Sequence, residues 1–198
     1  TNHSHLEADS STTSVSNSRE EERLSLSTLS GDKGVTLVAG NTLLAEGAQV
    51  DSTAGQIGIS ATDVMIKEAH QHTLDQDSEE THGHSSKSQR EMETSRDEAV
   101  GSTFSGKGGV SVVAREGDIT LTGSTLHSEQ GAIALQAKKD VTLNSATEHE
   151  SQYMEQRSEK SGAFSSSSSH TVKDDRITRE KGSLLSGNSI SVSAGNDL

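Results

Sequence analysis

The side chains of this sequence with an evident capacity for chemistry are its nine histidines and thirty acidic residues. Three His-x-His pairs stand out: His3/His5, His70/His72 and His82/His84. Residues two apart on a strand share a face, so each pair would present two imidazoles together, with Asp75, Asp77, Glu79 and Glu80 close enough in sequence to complete a zinc or copper site. No third and fourth ligand recurs at fixed spacing, however, and a solvated segment rich in His, Ser and Glu explains the pairs equally well. His70, His72, His82 and His84 are therefore weak metal candidates, and the expectation is no metal and no cofactor.

Asp118, Asp140 and Asp197 follow Gly, Lys or Asn just before apolar runs, a placement that raises calcium. The tandem Gly-Gly-x-Gly-x-Asp pattern of calcium-binding β-rolls is absent, so these aspartates are expected to bond turn amides instead. No Gly-x-Ser-x-Gly elbow positions a nucleophilic serine. A polysaccharide-active enzyme would need carboxylates with Arg or Lys on one face, and Lys138-Lys139-Asp140 alone comes near. The chain has no Cys, which excludes disulfides, thiolate nucleophiles and Cys-based zinc sites. The expectation is a protein without catalysis.

The elements that would position these residues are short strands. Val110-Ser-Val112, Ile119-Thr-Leu121, Ile133-Ala-Leu135 and Val141-Thr-Leu143 are apolar-x-apolar triplets separated by Gly, Asp, Asn or charged residues. In a strand each triplet points its two apolar residues to one face. Val110 to Ile133 is 23 residues and Ile119 to Val141 is 22, so two registers advance together. An earlier copy holds Val35-Thr-Leu37, Leu43-Leu-Ala45, Ile57-Gly-Ile59 and Val64-Met-Ile66, and a third begins at Ile190-Ser-Val192. Each copy is announced by one signal: Leu29-Ser-Gly31, Phe104-Ser-Gly106 and Leu185-Ser-Gly187.

That periodicity predicts an all-β chain, a right-handed parallel β-helix of 21 to 23 residue coils with long charged excursions. The expected core is Val35, Leu37, Ile57, Ile59, Val64, Ile66, Val110, Val112, Ile119, Leu121, Ile133, Leu135, Val141, Leu143, Ile190 and Val192, with Val50 and Leu126 on a third face. Val35 should stack on Ile57, Leu43 on Val64, Val110 on Ile133, and Ile119 on Val141. Gly31, Gly34, Gly40, Gly47 and Gly55 mark tight turns or positive φ. Only 28% of residues are hydrophobic, too few for a conventional core of this size but enough for a one-dimensional stack of small aliphatic rungs.

The expected organisation is residues 1–30 as the tail of a preceding unit, 31–105 as a first repeat (coils 31–67, excursion 68–105), 106–186 as a second (coils 106–147, excursion 148–186) and 187–198 as the start of a third. The excursions exceed a normal coil by about 30 and 34 residues. They are also where the charge sits: residues 68–100 hold nine acids against three bases. Each can be a hairpin, a helical piece or a disordered loop; a hairpin would place the second turn at Ser165–Ser169.

A formal net charge of −13 disfavours nucleic acid and anionic membrane surfaces as partners. No apolar run reaches the ~20 residues a membrane-spanning helix needs.

Gly117-Asp-Ile-Thr-Leu-Thr-Gly-Ser124, Val35-Thr-Leu-Val-Ala-Gly40 and Ser189-Ile-Ser-Val-Ser-Ala-Gly-Asn-Asp-Leu198 resemble the repeats of filamentous haemagglutinins and contact-dependent growth-inhibition toxins, the large exoproteins of bacterial two-partner secretion. The resemblance implies a secreted or surface-exposed Gram-negative protein, an outer-membrane two-partner-secretion transporter as partner during export, and no small-molecule substrate. It further implies a non-catalytic shaft that supports toxin delivery to neighbouring bacteria. The alternative is an adhesin module whose charged excursions bind a cell-surface receptor.

Overall fold

The computed structural model describes the backbone of residues 2–8, 11–21 and 27–198, and the side chains of residues 16, 18 and 27–198. His3, His5, Leu24 and Leu26 lie outside the described side chains. Every regular element among the described residues is a strand.

In chain order, β1 (Asn2–Ala8) and β2 (Ser11–Glu21) form a hairpin. A first coil follows, of β3 (Thr28–Gly31), β4 (Gly34–Val38) and β5 (Thr42–Glu46), and a second of β6 (Gln49–Ser52), β7 (Gln56–Ala61) and β8 (Asp63–Lys67). Two long strands interrupt the coils, β9 (Ala69–His82) and β10 (Ser86–Val100). Coils resume with β11 (Thr103–Gly106), β12 (Gly109–Ala114) and β13 (Ile119–Thr122), then β14 (Thr125–His127), β15 (Ala132–Ala137) and β16 (Val141–Asn144). A second long pair, β17 (Ala146–Ser161) and β18 (Ser166–Lys181), precedes β19 (Leu184–Ser186) and β20 (Ser189–Ala194).

These strands sort into two compact units. The first to consider, residues 24–71, 99–147 and 180–198, is a three-sided stack. One wall has the order β19-β14-β11-β6-β3, the next β20-β15-β12-β7-β4 and the third β16-β13-β8-β5. All pairings are parallel, which makes the unit a parallel β-helix. The ladder Val35, Ile57, Val110, Ile133, Ile190 runs in register through five rungs, although 53 residues separate Ile57 from Val110. Leu43 pairs with Val64 and Ile119 with Val141 on the third wall.

The triplets make this geometry because alternation sends their apolar members inward. Ile57, Ile66, Val112, Ile119, Leu121 and Ile133 are completely buried, and Ile59, Val64, Val110, Leu135, Val35 and Val141 are buried with them. Leu37 and Val192 are half-buried against that core. Leu143 and Ile190 depart from the expected core, at 47% and 49% exposed. Both lie on end strands of their walls, with a strand neighbour on one side only, although Val141 and Val35 on other end positions stay buried.

The announcing signal is itself a wall. Leu29, Val50, Phe104, Leu126 and Leu185 pair in register along the β19-β14-β11-β6-β3 wall, and Phe104 and Leu126 are completely buried. Residues 103–105 and 184–186, assigned in the sequence to the ends of the excursions 68–105 and 148–186, instead belong to β11 and β19, each the first strand of a coil. Of the five glycines singled out, Gly34 and Gly47 have positive φ, 147° and 56°. Gly109, which starts β12 as Gly34 starts β4, has φ 133°, and a Cβ there would stand 2.9 Å from the Ala132 carbonyl oxygen. Gly55 serves a different need, since a Cβ would collide with the Lys33 carbonyl.

The other unit, residues 1–23, 72–98 and 148–179, is a six-stranded sheet in the order β1-β2-β9-β10-β17-β18. The excursions are therefore hairpins. The second turns at Gly162–Ser165, where the Gly162 N–H donates to the Ser165 carbonyl at 2.7 Å, and not at Ser165–Ser169. Ala163 and Phe164 are the central residues of that turn, and Ser166–Ser169 belong to β18. Gly83 and Ser86 close the other turn in the same way, also at 2.7 Å.

Candidate functional site

Two sets of polar residues are held in fixed geometry, one inside the stack and one on the hairpin sheet. Within the stack, aspartates form a ladder at the corner before the third wall. The Asp118 N–H donates to Asp63 Oδ1, the Asp140 N–H to Asp118 Oδ1 and the Asp197 N–H to Asp140 Oδ1, each at 3.0 Å. The expectation that Asp118 and Asp140 bond turn amides describes their actual role, with the amide supplied by the next rung. Asp140 is thereby committed to a backbone hydrogen bond, and its neighbour Lys138 lies 4.0 Å from Glu116.

Sequence reasoning missed a second ladder, of Ser102, Ser124 and Ser183, each two residues before an apolar anchor of the wall that carries Phe104; the first two are completely buried. Ser102 Oγ donates to the Lys67 carbonyl at 2.7 Å and accepts the Ala48 N–H at 2.9 Å. Ser124 Oγ accepts the Ser102 N–H at 3.2 Å and donates to the Thr122 carbonyl at 2.8 Å. Ser183 Oγ continues the series by donating to the Asn144 carbonyl at 2.8 Å. The signal was present as Ser-Thr-Leu-Ser-Gly at 27–31, Ser-Thr-Phe-Ser-Gly at 102–106 and Ser-Leu-Leu-Ser-Gly at 183–187. The Ser102 and Ser124 hydroxyls pair the Ala48 and Ser102 N–H groups, which the corner would otherwise bury without a partner.

The hairpin sheet carries the charge. Ser86–Asp97 of β10 pair with Lys160–His149 of β17 in continuous antiparallel register. Glu150 receives Arg96 at 3.4 Å and Arg179 at 3.1 Å, linking three strands. Glu155 accepts the Tyr153 hydroxyl at 2.8 Å, Arg157 Nε at 2.6 Å and the His170 ring at 2.9 Å. These hydrogen bonds, Tyr153 first, hold the Glu155 carboxyl below its ordinary value, and the same bond pushes the Tyr153 phenol up. Glu80 is held low by its hydrogen bond from Lys87, 2.8 Å away, and Lys87 is raised in return.

The histidines read as metal candidates are dispersed among these carboxylates. His70 Nε2 stands 3.5 Å from Glu68, and His82 Nε2 stands 3.1 Å from Glu80. His70 and His72 occupy β9, whereas His84 falls in the turn after it, so His82 and His84 do not share a strand. Among the described residues no three His, Asp or Glu side chains converge as metal ligands. At the turn end of the sheet, His82, His84, Lys87, Glu159, Lys160 and Ser166 line an open groove of ≈ 430 Å³. No helix of the described chain is long and apolar enough to cross a membrane.

Comparison with known proteins agrees with this organisation. The Hemagglutinin repeat family matches residues 83–173, from the first hairpin turn into β18. The 16S rRNA endonuclease CdiA of Enterobacter cloacae subsp. cloacae is 51% identical over 47 residues, 24% of this chain and 1% of that protein. The tRNA nucleases CdiA of Escherichia coli O6:K15:H31 (strain 536 / UPEC) and of Escherichia coli strain NC101 are each 44% identical over 46 residues, 23% of this chain and 1% of each protein. The matches thus span a small part of these relatives' length. No solved structure matches the chain. Residues 83–173 thus carry a hemagglutinin repeat, and the chain is similar to the secreted, cell-surface exoproteins of the filamentous haemagglutinin and contact-dependent growth-inhibition family.

Proposed function

We propose that this chain is a non-catalytic shaft segment of a two-partner-secreted exoprotein, and that its work is to support contact-dependent delivery of a toxin to neighbouring bacteria. The observation that carries this reading is the unbroken ladder Leu29, Val50, Phe104, Leu126, Leu185, which keeps one rung stacked on the next across both hairpin insertions. A structure of that kind transmits length and stiffness. The aspartates and serines that might have formed a reactive cluster satisfy backbone amides and carbonyls instead. Export would engage an outer-membrane two-partner-secretion transporter, and a chain without Cys crosses an oxidising compartment free of wrong disulfides.

The test is an exchange within the full exoprotein. Residues 27–198 are replaced by an unrelated stretch of haemagglutinin repeats with the same number of rungs. Retained toxin delivery supports the shaft reading. Loss of delivery, with export intact, contradicts it.

A second reading has its own observation. β18 is exposed along its whole length, on a sheet that carries most of the charged side chains. In this reading the hairpins are an adhesin surface for a bacterial or host cell ligand, and shortening them abolishes cell binding by the purified chain.

A further inference from the structure

The hairpin sheet ends at β18, whose sixteen residues are all exposed and include neither Pro nor Gly. Its inner neighbours show what such an edge accepts. The return strand β2 takes the outgoing strand β9 from Thr12↔His82 to Glu21↔Thr73. The return strand β10 takes the outgoing strand β17 from Ser86↔Lys160 to Asp97↔His149. Both joints are antiparallel and link hairpins that belong to different repeats. β18 is the return strand of the β17–β18 hairpin, the same kind of strand in the same position.

The spacing permits this to continue. Each repeat adds two rungs to the stack and two strands to the sheet, and neighbouring strands lie ~4.8 Å apart in either case. Both units therefore grow by ~9.6 Å per repeat.

We propose that the open edge of β18 is a strand-accepting site, and that its occupant is an extended segment of the β17 kind, the outgoing strand of another haemagglutinin repeat's hairpin. Backbone hydrogen bonds supply the attraction, as in other cases of strand addition to a sheet edge. Charge fits the occupant as well. Superposing Leu185 on Phe104 brings Lys173, Asp174 and Asp175 to the positions of Met92, Glu93 and Thr94, whose partners are Met154, Tyr153 and Gln152. No acid then faces an acid at these three positions, and Arg176 already neutralises Asp174 from within the strand at 2.9 Å. The Gly162 N–H to Ser165 carbonyl bond fixes which residues of β18 bond inward: 165, 167, 169, 171 and onward. Val172 and the other even-numbered residues turn their N–H groups to the open edge.

The probe is a fluorescein-labelled synthetic peptide of residues 146–161, titrated with the full 198-residue chain and followed by anisotropy. Saturable binding is expected, with a scrambled peptide at least tenfold weaker. Val172→Pro removes an outward donor at a position where an edge strand tolerates proline. It should weaken binding at least tenfold while leaving the circular dichroism spectrum unchanged. Should that variant misfold, the ligand side decides: N-methylating alternate amides along one edge of the peptide should abolish binding to the unaltered chain. Absence of saturable binding, equal binding of the scrambled peptide, or indifference to both backbone modifications would overturn the proposal. None of these readouts depends on toxin delivery, so failure here leaves the shaft reading standing.

Discussion

The backbone N–H of Asp140 donates at 3.0 Å to the Oδ1 of Asp118, and the residues that follow them, Val141 and Ile119, are strand partners on adjacent rungs. Like charges stacked one per rung repel, yet the carboxylate oxygen is the acceptor that the corner amide requires. Hydrogen bonding and charge can be separated here by substitution. Asp118→Asn keeps the acceptor and removes a charge, so its stability should equal or exceed that of the parent. Asp118→Ala leaves the Asp140 amide without its partner and should cost about 1 kcal/mol. Denaturant unfolding of the two variants checks the difference.

A second prediction concerns the inside of the stack. Ile133 is completely buried and flanked by Val110 and Ile190, whereas Thr142 on β16 points outward. Ile133→Asp buries a carboxylate without a partner and should destabilise by several kcal/mol. Thr142→Asp should change stability by less than about 0.5 kcal/mol. Equal melting temperatures for the two would be incompatible with the inward and outward assignment.

The serine ladder gives a third. Ser102→Ala orphans the Ala48 N–H at a corner whose Ser102 is completely buried, while the Lys67 carbonyl keeps the Gly47 N–H at 3.1 Å. The expected loss is about 1 to 3 kcal/mol, measurable by thermal or denaturant unfolding. Ser186→Ala, at a partly exposed position of the same wall, should be close to silent.

Glu155 supplies a pH dependence. Its carboxyl is depressed in the folded sheet by Tyr153, Arg157 and His170. A depressed carboxylate contributes stability above its unfolded value near ~4.3 and loses that contribution as pH falls through the lower folded value. An NMR titration of the Glu155 carboxyl should therefore show a midpoint below that of an exposed glutamate. Arg157→Gln should move the midpoint upward. A midpoint at the ordinary value in the parent chain would mean that the hydrogen bonds to Glu155 do not form in solution.

How far the sequence foretold this follows from what its periodicity can encode. Two walls were legible because Val110, Ile133, Ile119 and Val141 repeat an apolar-x-apolar spelling at 22 to 23 residues. The wall anchored by Phe104 and Leu126 was only partly legible. Its strands are three to four residues long with one apolar anchor each, too short to show alternation. Leu143 and Ile190 carry the right spelling, but both stand on end strands of their walls, a position that no local pattern records. The excursions could not be resolved between hairpin and disorder because Met92, Met154 and Tyr153 stand among charged and polar residues. What orders them is pairing to other hairpins dozens of residues away. For the same reason His70, His72, His82 and His84 looked like a cluster in sequence and are spread along a strand and its turn.

The claim that most needs testing is that the stack is a complete folding unit and the hairpins are additions to it. Ala69 and Ala99, buried at the base of the first hairpin, would be kept, and residues 71–98 and 148–179 each replaced by an Asn-Gly turn, with residues 1–23 removed. Loop entropy grows slowly with length, whereas each ladder side chain lost from the core forfeits roughly 1.5 to 3 kcal/mol, so the stack should survive the change. The deciding measurement is circular dichroism of this shortened chain during thermal melting. A β spectrum with one cooperative transition is the predicted result, and an unfolded spectrum or a broad, non-cooperative melt would contradict the account.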